Sequence, residues 1–370
     1  MPPTARKAHN KSRAGCEKCK SKKIKCDEKQ PCSYCVKRRL PCSLQPEPKT
    51  APTALVFRQP DPPSFTFADF GLFQHFVKST AGSHSDDDAS RIVWSETVPD
   101  LAVRYPYLMH ELLAVAAIHR GHTHPEEVGL QKIAAEHQSR AIPLFRQALA
   151  GGTGEDAIPL FACSCLIIPY YFAAARDATA LLCNEEANGP PEWLMLIEGC
   201  AAITIKNSPA IMGSPLRALL GEVLNPGLED LTDSFADREL VGLKHKLPLA
   251  PEHRAEYATV LDRLRVSYTL SDQATGLLAR KNAALRFPPS MGRLCKDHLA
   301  AKEPAALIII AFWCVLLYRV EDRWWLRGRM RPLLVKIVEL LPSEYHHLIS
   351  WPLEQLDITP PSPQVIGDSE

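Results

Sequence analysis

From about residue 64 onward, apolar side chains recur three and four positions apart, in blocks separated by Pro, Gly and polar breaks. Phe67, Phe70, Leu72, Phe73 and Phe76 form the first such stretch. Leu108 to His119 follows, then Ile133 to Leu149, which Pro143 is expected to break into pieces. Further blocks run Ile158 to Leu182, Trp193 to Ile205, Leu216 to Leu220, Tyr257 to Leu278, Pro304 to Val320 and Met330 to Leu341. Ser83 to Ser90, with Asp86, Asp87 and Asp88, reads as a solvated loop, and Gly151 to Gly154 as a turn. Strand-like alternation is scarce. The pattern therefore predicts a large all-α domain over residues 64–358. About 300 residues of such composition bury a single core without difficulty.

The most apolar block, Ala305 to Tyr318, lies between Glu303 and Arg319. It is shorter than the roughly 20 residues a membrane span requires. It is expected to be a buried core helix, and no membrane span is expected.

The first 63 residues read differently. Residues 1–15 form a polar, basic arm, and residues 43–63 a Pro-rich, semi-rigid linker. No heptad repeat survives the linker prolines, so any homodimer is expected to form through the C-terminal domain. Residues 359–370 make a Pro-containing flexible tail. Residues 1–45 hold thirteen Lys and Arg against three acids, a formal +10. The whole chain is +1, so residues 46–370 carry −9. A basic module joined to an acidic body is the electrostatic footprint of a nucleic-acid binder.

Within the basic module, residues 16–42 hold half of the chain's 12 cysteines. The spacing is Cys16-x2-Cys19-x6-Cys26-x5-Cys32-x2-Cys35-x6-Cys42, two near-identical halves side by side. So short and polar a segment cannot hold itself together by burial and needs a staple. Repeated CxxC pairs suit zinc. Three disulfides would need an oxidising compartment, and no apolar signal core follows the first basic residues. Two four-coordinate ions need eight ligand positions, so two of the six thiolates must be shared. Symmetry selects the first cysteine of each half, Cys16 and Cys32. A short helix beginning after Cys19 would point Lys20, Lys22 and Lys23 outward while Ile24 faces the cluster. Lysine can hydrogen-bond guanine O6 and N7 in the major groove.

This spacing, the run Lys20-Ser21-Lys22-Lys23-Ile24-Lys25-Cys26-Asp27 and Pro31 before the second half together resemble the fungal binuclear zinc cluster transcription factors. The resemblance implies two zinc ions per chain bridged by two cysteines, two short helices, a nuclear location and readout of CGG-like triplets in double-stranded DNA. It assigns base reading to Lys23 with Lys22 beside it. Lys20, Lys25 and Arg13, and Lys37, Arg38 and Arg39 of the second helix, then become phosphate contacts. The expected fold is a small zinc-stapled DNA-binding module, two short helices around a binuclear cluster, plus a large all-α C-terminal domain.

The body carries a second, more scattered resemblance. Trp94-x3-Val98-Pro99-x-Leu101-Ala102, Pro106-Tyr107-Leu108-Met109-His110, Glu136-His137-Gln138 and Trp324-Trp325-Leu326-x-Gly328 resemble the effector domain of fungal sterol-uptake regulators. That group implies an all-helical domain that dimerises and, in the sterol regulators, holds a hydrophobic ligand. No catalytic set is visible. His110-Glu111-Leu112-Leu113-Ala114 opens like a zincin helix, but Ala114 stands where the second His must be. No GxSxG and no Gly-rich phosphate loop occurs. His122-x-His124 and His346-His347 are expected to be solvated loop residues. Cys163, Cys165, Cys183, Cys200, Cys295 and Cys314 are expected to be buried, reduced thiols. The competing reading is a zinc-dependent protein-interaction module without DNA readout. A RING-type site would interleave eight ligands, usually including His, whereas residues 16–42 offer six and no His.

Overall fold

A computed structural model of the chain describes residues 14–44, 65–151, 156–175, 177–182, 189–221 and 226–359. The basic arm up to Arg13, the linker from residue 45, most of the Gly-rich turn, Cys183 and the tail from residue 360 lie outside them. The chain divides into two compact units, Met1–Ser64 and Phe65–Glu370. The first carries two short helices, α1 (Glu17–Ser21) and α2 (Ser33–Arg38).

The regular elements of the second unit are helices among its described residues. Its centre is α10 (Pro304–Tyr318). Pro304 sits at the first helical position, where its missing N–H costs nothing. Ala305 through Leu317 are all buried, the signature of a helix that is apolar on every side. The α8 helix (Arg254–Gln273), α9 (Leu277–Arg286) and α11 (Met330–Leu340) pack against it. Two aromatic polar tips here are satisfied. Tyr268 Oη donates to Phe312 O at 2.6 Å, and Trp313 Nε1 to Ala284 O at 2.8 Å. Trp313 also stacks on Trp193, ring centroids 4.4 Å apart.

A second layer is built from α3 (Phe67–His75), α4 (Pro106–Thr123), α5 (Leu130–Gly151), α6 (Ala157–Ala174) and α7 (Glu192–Lys206). The expected break at Pro143 does not occur; α5 runs through it. Leu130, Ala134, His137, Ala141 and Phe145 bury one face every three to four residues, and that burial outweighs the lost hydrogen bond. The apolar reading of the first stretch also needs correcting. Leu72 and Phe76 are buried, but Phe67 is 94% and Phe70 62% exposed. Polar contacts hold α3 instead. Asp69 accepts the Thr66 N–H at 2.7 Å and faces His137 Nε2 at 3.1 Å, and His137 Nδ1 in turn lies 3.1 Å from His110 Nδ1.

The stretch from Ser83 to Ser90 is a solvated loop only in part, exposed from Asp86 to Ala89 but with His84 and Ser90 buried. A helix begins at Asp88, capped by Asp87, whose Oδ1 accepts the Ser90 N–H at 2.6 Å. Asp86 pairs with the buried Arg323, whose Nη1 also donates to Ser83 O at 2.9 Å. Two further blocks are each split in two. The α6 helix ends at Ala174 and a short helix Ala178–Leu182 follows, while α8 ends at Gln273 before α9. The α6 helix, 18 residues long, is apolar enough to cross a membrane by length and composition, and 67% of it is buried within the unit. It behaves as a core helix.

Glu111 is wholly buried on α4. The Gln138 amide faces both Glu111 oxygens, at 2.6 and 3.0 Å. Burial raises the Glu111 carboxyl well above the usual carboxylate range. The folded chain thus prefers the protonated acid, while the unfolded chain ionises it near 4.5. The stability this group contributes is intact below that value and is lost as pH rises toward the folded one. Glu111→Gln is therefore expected to raise the melting temperature at about pH 8, with the difference vanishing near pH 4. Melting curves showing the same difference at both pH values would remove this account.

Candidate metal centre and nucleic-acid face

The two halves of the N-terminal unit fold alike, with every position repeated 16 residues on. Cys16 and Cys32 each end an extended segment and cap a helix, their Sγ accepting the N–H of Cys19 and Cys35 at 3.4 and 3.5 Å. Each also donates its own N–H to the last sulfur of its half, Cys16 to Cys26 and Cys32 to Cys42, both at 3.4 Å. N–H donors aimed at sulfur favour thiolate, and they lower the thiols of Cys26 and Cys42, the latter to about 7. Burial among the other sulfurs raises Cys19 and Cys35 in the metal-free chain.

All six side chains converge. The sulfurs of Cys16, Cys19, Cys26 and Cys32 form one group and those of Cys16, Cys32, Cys35 and Cys42 another, each within 4.8 Å. Cys16 and Cys32 belong to both. Their sulfurs are 3.7 Å apart, as are those of Cys16 and Cys35 and of Cys19 and Cys32. A tetrahedral ion with Zn–S bonds of about 2.3 Å sets its ligands roughly 3.8 Å apart. A disulfide would need about 2.05 Å, so the spacing fits shared metal and excludes S–S bonds.

Helix α1 begins before Cys19, not after it, because the Cys16 cap starts it at Glu17. It ends at Ser21, and the chain then turns left-handed at Lys23, φ 54°. Lys23 N–H bonds to Lys20 O and Ile24 N–H to Cys19 O, both at 3.1 Å, a Schellman closure. The second half repeats it, with Arg39 at φ 51° and bonds from Arg39 to Val36 O and Leu40 to Cys35 O. Glycine is the usual residue at that position; Lys and Arg there cost about 1–2 kcal/mol each. Ile24 does not face the cluster but is 37% exposed, while Tyr34, Leu40 and Leu44 pack against the sulfurs.

Lys20, Lys22, Lys23 and Lys25, with Lys37, Arg38 and Arg39, are all exposed. Arg13 lies outside the described residues. Two of the three nearby acids are occupied by backbone. Asp27 accepts the Ser33 N–H at 3.1 Å and Glu28 the Ala14 N–H at 3.0 Å. No ion pair is formed by residues 14–44 among the described residues, so the basic surface is left unneutralised.

Residues 14–51 match the fungal Zn(2)-Cys(6) binuclear cluster domain, and residues 71–211 the fungal specific transcription factor domain. The chain joins these two domains. The cluster domain holds two zinc ions, and the six sulfurs offer the donor set for both. A Zn(2)-C6 fungal-type transcription factor of Gibberella zeae is 25% identical over 95% of this chain and 87% of its own length. The Aspergillus fumigatus transcription factor afumD is 29% identical over 54% of this chain and 55% of its own length. Sterol uptake control protein 2 of Saccharomyces cerevisiae is 29% identical over 47% of this chain. The aligned part is about a fifth of that relative and about half of afumD.

The histidines read from the sequence assemble no metal group among the described residues. His122 and His124 are exposed at the end of α4, on helix rather than loop in the case of His122. His346 is half-buried, its Nε2 2.9 Å from Leu341 O. All six tryptophans are core residues. Cys163, Cys295 and Cys314 are buried, whereas Cys165 and Cys200 are only half-buried.

Proposed function

We propose that this chain is a sequence-specific, DNA-binding transcription regulator acting in the nucleus, with no enzymatic activity of its own. The cluster's ligands are Cys16, Cys19, Cys26, Cys32, Cys35 and Cys42, with Cys16 and Cys32 bridging the two ions. The observation that carries the reading is the unneutralised row of lysines held on a sulfur cage. Lys23 supports it further, since a strained left-handed backbone at a basic, exposed residue is the kind of outlier found at functional sites. Lys23, with Lys22 beside it, reads guanine edges of a CGG-like triplet in the major groove. Lys20, Lys25, Arg13, Lys37, Arg38 and Arg39 bind phosphates and set the register.

The helical body is the effector half. It is the surface through which the chain self-associates or receives a hydrophobic small-molecule signal. The resemblance to proteins named for sterol uptake control supports an effector role.

Fluorescence anisotropy of a CGG-containing duplex in rising salt tests the DNA reading. Log affinity is expected to fall linearly with log salt, with a slope of several. Lys23→Ala should narrow the gap between CGG and scrambled duplex by about 1–3 kcal/mol. Arg38→Ala should weaken both duplexes alike and reduce the salt slope by about 1. Flat, negligible binding would favour a zinc-dependent protein-interaction module, and equal effects of the two variants would remove the base-reading role of Lys23.

A further inference from the structure

The helical body holds a cationic cavity that the reading above does not use. Its volume is about 280 Å³, and it lies where the end of α4, the start of α5 and the end of α6 meet the turn that follows α10. Trp324 and Ile118 give it apolar wall. His122, Gln131, Arg327 and Arg329 supply the polar lining, and no carboxylate lines it among the described residues. The His122 ring stands against the Trp324 indole, centroids 5.9 Å apart.

Both arginines reach the same cavity although only Gly328 separates them, and Gly328 turns left-handed there, φ 70°. Arg329 is pinned, its guanidinium donating to Ala173 O at 2.8 Å and to Ala175 O. Those carbonyls orient the charge without neutralising it. Arg327 is exposed, and its side chain forms no hydrogen bond or ion pair among the described residues. Trp324 is only 8% exposed, and its indole N–H is buried with no acceptor among the described residues. Buried donors are nearly always paired, so an unpaired one beside a cationic cavity points to an acceptor supplied from outside the chain.

We propose that this cavity binds a small organic carboxylate, its acid group held by Arg327 and Arg329 and its flat apolar body laid against Trp324. A guanidinium presents paired N–H donors that match the two oxygens of a carboxylate. The apolar wall selects for a body that inorganic anions lack. The volume falls just below the roughly 300–1,000 Å³ of drug-sized sites, so the ligand is small. The proposal narrows the effector reading above by giving the ligand an acidic group. Calling that ligand a signal rests on the effector reading; its binding does not, and is independent of DNA.

The test titrates benzoate into the full-length protein and follows it by saturation-transfer NMR and calorimetry. Benzamide, of the same shape without the charge, and inorganic phosphate run in parallel. Benzoate is expected to bind, and benzamide to bind about tenfold more weakly or worse, since a hydrogen bond to a charged group is being lost. Arg327→Gln should weaken benzoate by a similar factor while leaving the melting temperature unchanged, because the side chain is exposed and unbonded. Arg254→Gln, the same charge change at an exposed residue outside the cavity lining, should have no effect. Absence of benzoate binding, equal binding of benzamide, or full affinity in Arg327→Gln would overturn the proposal. So would phosphate displacing benzoate at equal concentration, which would show an anion site with no use for the apolar wall. Anisotropy of a CGG duplex with the same samples reports the DNA reading separately, so either can fail alone.

Discussion

Chelating zinc from the full-length protein is expected to unfold residues 16–42 and abolish DNA binding while the helical body keeps its fold. The reason lies in how little else holds that unit. Helices of five and six residues are far below the roughly 12–15 at which isolated helices become even marginal. Among the described residues, only Tyr34, Leu40 and Leu44, each partly buried, pack against the sulfurs. Structural zinc at such sites contributes apparent binding energies of about 10–16 kcal/mol at neutral pH, and that energy is folding energy. Without it, six thiol groups a few ångströms apart have nothing to draw them together. The measurement is clean because all six tryptophans, from Trp94 to Trp351, lie in the second unit. Tryptophan emission should stay constant as chelator rises, with two zinc ions released per chain and DNA affinity lost. Simultaneous loss of emission and far-UV signal would show that the two units fold as one.

Arg323→Ala is expected to lower the unfolding free energy of the body by about 3–5 kcal/mol, the usual cost of breaking a buried ion pair from one side. Arg323 is only 5% exposed. Its guanidinium pairs with Asp86 and donates to Ser83 O, tying residues more than two hundred positions apart in sequence. Alanine would strand a half-buried carboxylate and a carbonyl, and its smaller side chain would also leave a cavity. The control is Arg238→Ala. Arg238 pairs with Asp233 at 3.0 Å, but both side chains are more than half exposed, so the loss should stay within about 1 kcal/mol. Urea denaturation followed by far-UV circular dichroism separates the two. Equal, small effects would show that the Arg323 contact holds nothing in place.

The sequence by itself determined the chemistry of the N-terminal unit and the helical nature of the rest. Six cysteines at fixed spacing and a shared-ligand count are local information, and the sulfurs at 3.7 Å meet it. The apolar period of Leu108 to His119 and of Pro304 to Val320 likewise stands as buried helix. Tertiary structure decided what local pattern could not carry. Pro143 sits inside an unbroken helix because burial of one face outweighs one lost hydrogen bond. Asp86 reads as solvent-seeking until Arg323, distant in sequence, arrives beside it. Ile24 points away from the sulfurs because a left-handed turn at Lys23, closed by hydrogen bonds to the helix before it, redirects the chain. In each case the deciding energy comes from a partner far along the chain or from a backbone angle, and neither is written in spacing or composition.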